Sequence, residues 1–171
     1  MVLHLGDRTL GRNQASRQEQ QESVLLKVPA TLAYRELTCR TVSAVGKLYL
    51  QAAGAQRGST ARRFADELMS AVGEAFNNVV IHAYSRSGQG TVELELRCSE
   101  ALITVEMRDY GAPFDFDAVP ELNLDRPHEQ GMGVHIIRCF VDSVQYRPGP
   151  PNILVLTKRV ASPKPAAVAA R

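Results

Sequence analysis

Hydrophobic residues recur along this chain with two different periods, and these periods predict its helices and strands. Spacings of three and four residues indicate one helix from Thr31 to about Gly54. They indicate a second helix that reaches about residue 84, with Ser59 or Thr60 as its capping residue. The predicted buried stripe of the second helix consists of Phe64, Leu68, Ala71, Val72, Ala75 and Val79.

Apolar and polar residues alternate in several shorter segments, which indicates half-buried strands. One strand is predicted at 23–29. Two more, at 91–98 and 101–109, form a hairpin with one solvated face and a tight connection at Ser99 and Glu100.

The last part of the chain predicts one more helix and one more hairpin. The helix covers residues 131–144, GMGVHIIRCFVDSV, and the hairpin covers 144–160 with a turn that contains Pro148, Pro150 and Pro151. The order is therefore strand, helix, helix, two strands, helix, two strands. This order predicts an α+β fold, a two-layer α/β sandwich with helices on one face of a mixed, mostly antiparallel sheet.

Chain length and composition are those of one folded domain with polar ends. The chain has 171 residues, of which 44% are hydrophobic, enough for one core and too few for two comfortable ones. We expect flexible tails at 1–22 and 161–171 and a single folded domain at 23–160. Residues 112–130 have no period, and we interpret a loop of that length as functional.

Charge and cysteine content exclude several kinds of partner and site. A net charge of +2 gives no field that favours nucleic acid or an anionic membrane, so we expect direct contact with neither. No apolar run approaches the roughly 18 to 20 residues of a membrane span, and we expect a cytoplasmic protein. Cys39, Cys98 and Cys139 lie far apart, which predicts reduced, mostly buried thiols and neither a disulfide framework nor a zinc site.

The second helix carries polar residues in its middle, within GEAFNNVVIHAY at 73–84. Glu74 and Asn78 are four residues apart, so they lie about 40° apart around the helix and about 6 Å apart along it. An amide oxygen suits a hard cation, and a carboxylate can accept a proton from an attacking hydroxyl. The pair suggests a metal–phosphate site, and the alternative is ordinary surface polarity.

Two glycine-containing segments add to this pattern. RDYGAPFDF places Asp109 at the end of a strand, with Gly111 two residues later, where a carboxylate can point into a crevice or simply form a turn. EQGMGVHII places Gly131 and Gly133 at the start of the third helix, where exposed N–H groups can bind phosphate.

In this order the three segments resemble the N, G1 and G2 boxes of the GHKL ATPase superfamily, which has the Bergerat fold. GEAFNNVVIHAY, RDYGAPFD and GMGVHIIRCFVDSVQY look most like the anti-sigma-factor serine kinases of the RsbW type. The resemblance covers roughly residues 23–160.

The resemblance implies ATP and Mg²⁺ as cofactors and a role for each singled-out residue. Asn78 would coordinate Mg²⁺ at the phosphates, and Glu74 would receive the proton of a substrate serine. Asp109 would accept the adenine amino group while Gly111 leaves room for the base. Gly131 and Gly133 would let a lid close over the phosphates.

The remaining polar residues receive no such role. Asn77 is given none, and His82 is interpreted as a packed or capping histidine. His128 and His135 lack a metal partner, and Lys158 is expected to be solvated. Four arginines on the first two helices are expected to be solvated or to contact an acidic partner: Arg35, Arg40, Arg62 and Arg63.

Two departures from the family pattern concern catalysis. Ala112 and Pro113 stand where many superfamily members have a further glycine, and the lid segment NLDRPHEQ is poor in glycine. The glycine-poor lid segment concerns lid closure, and hence the catalytic rate, more than it concerns binding.

The implied function is an ATP-dependent protein-serine kinase that also sequesters a sigma factor and phosphorylates a STAS-type anti-anti-sigma protein. A homodimer is a further implication of the resemblance. One alternative keeps the fold but makes the protein a non-catalytic sequestering module. The ATPase domain of a sensor histidine kinase is disfavoured, since no membrane span is present and residues 1–22 are too few for a dimerisation hairpin with a phosphoacceptor histidine.

Overall fold

The structure is a computed structural model that describes residues 22–52, 58–85, 89–99, 102–114 and 131–160. Within these ranges the elements follow the predicted order. The strands are β1 (Glu22–Pro29), β2 (Thr91–Ser99), β3 (Leu102–Asp109), β4 (Ser143–Arg147) and β5 (Asn152–Arg159). The helices are α1 (Arg35–Ala52), α2 (Ser59–Asn78) and α3 (Met132–Phe140), with a 3₁₀ turn at Leu32–Tyr34 before α1 and a π-helical turn at Val79–Ala83 after α2. Residues 1–21 and 161–171 of the predicted tails and most of the aperiodic loop lie outside the described residues, and Glu22, predicted as the last tail residue, begins β1.

The five strands form one sheet in the order β1-β2-β3-β5-β4. Every neighbouring pair is antiparallel. The chain leaves β3, passes through α3 and β4, and returns in β5 beside β3, so β5 runs opposite to β3. The predicted α+β sandwich is confirmed, and its described sheet is wholly antiparallel, whereas the prediction allowed for a mixed one.

The core lies between the inner face of this sheet and the helices, with α2 packed between α1 and α3. All six residues of the predicted stripe on α2 are buried, as expected from their helical spacing. The sheet contributes a matching set of buried residues: Val28, Val92, Leu94, Leu96, Ile103, Val105, Met107, Leu154 and Leu156. None of the described helices combines the length and hydropathy that spanning a membrane requires.

Several predicted helix boundaries are wrong. The first helix begins at Arg35 after a 3₁₀ turn and not at Thr31, and the second ends at Asn78, where a π-helical turn takes over. The helix predicted over residues 131–144 ends at Phe140, and Ser143 begins β4, because the apolar pattern continues from one element into the next. The residue that caps α2 is Gly58, in an extended conformation and without a side-chain hydrogen bond, so neither Ser59 nor Thr60 is the cap.

The outer face of the sheet carries paired charges. Arg97 contacts Glu95 at 2.6 Å, and Arg108 contacts Glu106 at 2.6 Å and Glu95 at 3.1 Å. The hydrogen bond from Arg97 holds the pKa of Glu95 below its ordinary value. The Glu106 side chain is only 10% exposed, so the arginines bury this carboxylate on a face where the described helices do not pack.

Lys158 is paired, and the prediction that it is solvated is wrong. It follows Leu154 and Leu156 on the inward-facing side of β5, so its side chain points toward α2. Its Nζ lies 2.8 Å from Glu67 Oε2 and donates to the carbonyl oxygen of Phe140 at 2.6 Å. The side chain is 12% exposed, and this pairing ties the end of α3 to α2.

Replacing Lys158 by methionine is expected to lower the free energy of unfolding by about 2 kcal/mol at neutral pH, because Glu67 loses its main partner in a partly desolvated position. Hydrogen bonds from Lys158 and then Arg63 hold the pKa of Glu67 below its ordinary value of 4.5. The Glu67 carboxylate therefore binds a proton more readily in the unfolded chain than in the folded one. The stabilisation is complete above pH 4.5 and is lost as the pH falls through the lowered pKa.

Urea unfolding of wild type and Lys158→Met at several pH values checks this expectation. The difference between the two proteins should shrink on acidification. Arg63→Met is the matched control: the Arg63 side chain is 81% exposed, so its loss should cost under about 0.5 kcal/mol. A difference that stays constant down to low pH would contradict the role given to the ion pair.

Candidate functional site

The structure brings Gly133 next to Glu74 and Asn78, which lie far from it in the sequence. Gly133 lies in the first turn of α3, which packs against α2. A β-carbon added at Gly133 would lie 3.1 Å from Glu74 Oε2 and 3.5 Å from Asn78 Oδ1. Glycine thus favours the close approach of the start of α3 to both polar groups, so the two predicted motifs form one site.

Gly131 precedes this helix in a left-handed conformation, with φ of 91°. Residues other than glycine rarely adopt that conformation. Its carbonyl oxygen accepts a hydrogen bond from the backbone N–H of His135. The first glycine therefore turns the chain into α3, and the second lets the first turn of α3 pack closely against Glu74.

Glu74 is held from the side opposite to Gly133. Arg35 Nη2 lies 3.5 Å from Glu74 Oε1, and Asn77 Nδ2 donates to the same oxygen at 3.5 Å. Arg35 is thus part of the site, and its interpretation as a solvated or partner-contacting residue misses this contact. Gly73, in the middle of α2, is the sequence signal that could have indicated it, since an interior helix glycine often marks a close approach.

Asp109 lies at the end of β3 in a network of hydrogen bonds. It is 6% exposed. Its Oδ1 accepts from the backbone N–H of Gly111 and from Asn152 Nδ2, both at 2.9 Å. Asn152 stands opposite Asp109 at the start of β5 and also donates to the carbonyl oxygen of Gly111 at 3.1 Å. Asn152 is not among the predicted site residues, and its only signal in the sequence is a polar residue at the start of a mainly apolar strand.

A narrow crevice connects Asp109 with Asn78. Its walls are mainly apolar, and its volume is about 30 Å³, close to the share of one water molecule in the liquid. A purine therefore enters only if part of the wall moves. The lining residues are Ala75, Asn78, Val79, Ala83, Met107, Asp109, Ala112, Phe114, Tyr146 and Leu154.

Phe114 is the wall residue at the edge of the described structure. Its ring stacks on His82 with centroids 5.9 Å apart, and its backbone N–H donates to the hydroxyl of Tyr146. His82 is therefore an exposed histidine that stacks on one wall residue of the crevice, which differs from its interpretation as a packed residue. The lid segment that follows Phe114, with His128, lies outside the described residues.

The space beside Gly111 is filled by protein. A β-carbon added there would lie 2.5 Å from the carbonyl oxygen of Ala83, and that oxygen accepts a hydrogen bond from the N–H of Ala112 at 2.8 Å. Gly111 thus allows the end of β3 to pack against the π-helical turn. The expected room for a base is not visible at this position.

Thiols and histidines do not assemble into a metal centre in the part of the chain that the structure describes. No group of three His, Cys, Asp or Glu residues there is arranged to hold a metal ion. His135 Nε2 lies 3.3 Å from Cys139 Sγ. Cys39 is buried but Cys139 is exposed, so the expectation of mostly buried thiols fails for Cys139.

The site chemistry suits a phosphate-bound cation. Mg²⁺ usually takes only one or two protein ligands and completes its shell with phosphate and water oxygens. Asn78 lines the crevice and lies beside Gly133, and its amide oxygen is a metal ligand of that kind. Asp109 supplies an acceptor at the other end of the crevice.

Comparison with known proteins places this geometry in a family. Residues 29–158 match the histidine kinase-like ATPase domain. The chain is 27% identical to the serine-protein kinase RsbW of Bacillus velezensis over 78% of its length and 82% of the relative. It is 30% identical to the anti-sigma F factor of Pasteuria penetrans over 77% of its length and 91% of the relative, and 30% identical to RsbW of Bacillus subtilis over 70% and 74%. The resemblance predicted from the three motifs is confirmed: the chain belongs to the histidine kinase-like ATPase family, among the relatives of RsbW and the anti-sigma F factors.

Proposed function

We propose that this protein is an ATP-dependent protein-serine kinase and anti-sigma factor. It binds a sigma factor and phosphorylates a serine of a STAS-type anti-anti-sigma protein in the cytoplasm, as a homodimer. The observation that supports this most directly is the meeting of Glu74, Asn78 and Gly133 at one end of the Asp109 crevice. The names of the relatives, serine-protein kinase and anti-sigma factor, supply the reaction and the partner class.

Each residue of the site has a separate task in this proposal. Asp109 accepts a hydrogen bond from the adenine amino group, and the apolar crevice walls cover the base. Asn78 holds Mg²⁺, which when bound offsets the negative charge of the phosphates. Gly131 and Gly133 present the N-terminal N–H groups of α3 to the phosphate chain.

Glu74 handles the proton. Its Oε2 lies beside Gly133 at the start of α3, and in this proposal it accepts the hydroxyl proton of the substrate serine. The serine oxygen forms a bond to the γ-phosphorus while the bond from that phosphorus to the bridging oxygen breaks. ADP leaves with the electron pair, and phosphoserine is the product.

A second candidate is a sequestering module that does not catalyse. The narrowness of the crevice, about 30 Å³, favours it, because a nucleotide has to displace part of the wall. The position of Glu74 beside Gly133 favours the kinase, since a protein that only binds its partner has no need of a carboxylate there.

Phosphoryl transfer to a co-purified STAS-domain partner distinguishes the two candidates. With γ-labelled ATP and Mg²⁺, the kinase proposal expects stoichiometric label on a partner serine, and a serine-to-alanine partner serves as the control. Sigma-factor binding without label, in a protein shown to be folded, would support the sequestering module instead.

A further inference from the structure

The two oxygens of the Glu74 carboxylate lie in different surroundings. Oε1 faces Arg35 Nη2 and Asn77 Nδ2, each at 3.5 Å. Oε2 faces Gly133, where an added β-carbon would lie 3.1 Å away. Oε1 thus has two side-chain N–H donors beside it, whereas Oε2 lies against the first turn of α3.

Both side chains beside Oε1 are half-buried, and each has one polar atom that is fully buried. Asn77 Oδ1 and Arg35 Nε are buried and have no hydrogen-bond partner among the described residues. Thr38, one turn after Arg35 on α1, is fully buried, and its Oγ1 is likewise unpaired within the described structure. Burying polar atoms without partners is costly, so a cluster of this kind needs an explanation other than stability.

Gly73 gives Arg35 its path to the carboxylate. A β-carbon at this position would lie 3.0 Å from Arg35 Nη2 and 3.0 Å from Cys39 Sγ. Any larger residue would meet the guanidinium on its way across α2. Glycine weakens a helix interior relative to alanine. Its presence at this position is consistent with a requirement that the Arg35 guanidinium reach Glu74 across α2.

We propose that Asn77 and Arg35 are positioning residues for Glu74. By holding Oε1 they fix the rotation of the carboxylate and leave Oε2 directed at the hydroxyl that loses its proton. The inference rests on the proposed function, since it gives Glu74 the role of base. A misplacement of about 1 Å at a reacting group can cost up to about 100-fold in rate, so partial loss of this anchor has a measurable effect.

The decisive experiment is a double-mutant cycle on phosphoryl transfer. Asn77→Ala is expected to lower kcat about 10-fold with KM for ATP and for the protein substrate within about twofold. In a Glu74→Gln background the same substitution should have no further effect, because the base that Asn77 positions is already gone. A structural role for Asn77 would instead lower the rate by the same factor in both backgrounds.

The role of Arg35 is tested by substitution, with a second arginine of α1 as the control. Arg35→Met should lower kcat about 10-fold, and Arg35→Lys, which keeps a donor, should restore part of the loss. Arg40→Met is the control, since Arg40 pairs with Glu36 on the exposed side of the same helix, where its side chain is 77% exposed. A raised KM for the protein substrate with unchanged kcat would make Arg35 a docking residue and overturn the inference for it.

Gly73→Ala tests the same contacts without removing any polar side chain of the cluster. It keeps the inference testable if the other variants fail to fold. It is expected to lower kcat about threefold by displacing the guanidinium, with a melting temperature at or above that of wild type, since alanine favours the helix. Wild type that transfers phosphate while Asn77→Ala keeps full kcat overturns the positioning inference alone. Wild type that transfers none overturns the proposed function, and the inference with it.

Discussion

Asp109→Asn is expected to weaken binding of Mg·ATP by at least about 100-fold while leaving the fold nearly unchanged. The asparagine oxygen can still accept the two N–H groups that Asp109 Oδ1 accepts, from Gly111 and Asn152. The new NH₂ group replaces Oδ2, which receives no hydrogen bond from any described residue. A donor would then oppose the amino group of adenine, and both would stay unpaired in an apolar crevice.

Calorimetric titration of Mg·ATP into wild type, Asp109→Asn and Asp142→Asn measures this effect. Asp142 accepts the backbone N–H of Arg159 at the opposite end of the sheet, is exposed, and should bind like wild type. Similar affinity for Asp109→Asn and wild type would remove Asp109 from the nucleotide site. A large fall in melting temperature would mean that the substitution acts through the fold.

Glu74→Gln is expected to lower kcat for phosphoryl transfer by about 1,000-fold, within the range attributed to a general base. The amide has nearly the same shape but cannot take up the serine proton. ATP affinity should stay within about threefold of wild type, because the crevice lining does not include Glu74.

Single-turnover transfer to the STAS-domain partner, with equilibrium ATP binding measured on the same preparations, checks this expectation. Glu36→Gln is the control, since Glu36 pairs with Arg40 on the exposed side of α1. If Glu74→Gln retained a rate within tenfold of wild type, Glu74 would not be the base, and proton transfer would have to occur without it.

The elements of the fold were predictable because each has a clear hydrophobic period. The stripe on α2 and the alternation in β2 and β3 both correspond to the observed burial. The end of α3 at Phe140 was missed because Val141 and Val144 extend the apolar spacing into β4. The antiparallel pairing of β5 with β3 depends on how the chain returns after α3, which local periodicity does not contain.

Site residues could be predicted where their spacing along one element brings them together. They were missed where only the tertiary fold brings them together. Glu74 and Asn78 share a helix face, so their proximity follows from helical geometry. Arg35 reaches Glu74 from another helix, and Asn152 reaches Asp109 from another strand. Such partners depend on packing angles and side-chain length, and local sequence patterns do not encode them.

The charged outer face of the sheet has a consequence for how this protein can diverge. Glu106 is buried beneath Arg97 and Arg108, so loss of either arginine leaves a desolvated carboxylate partly uncompensated. Joint replacement of these three and of Glu95, which contacts both arginines, by apolar side chains of similar volume is far less costly. Single substitutions at these positions are therefore expected to be selected against. Substitutions that change the positions together are expected to be tolerated.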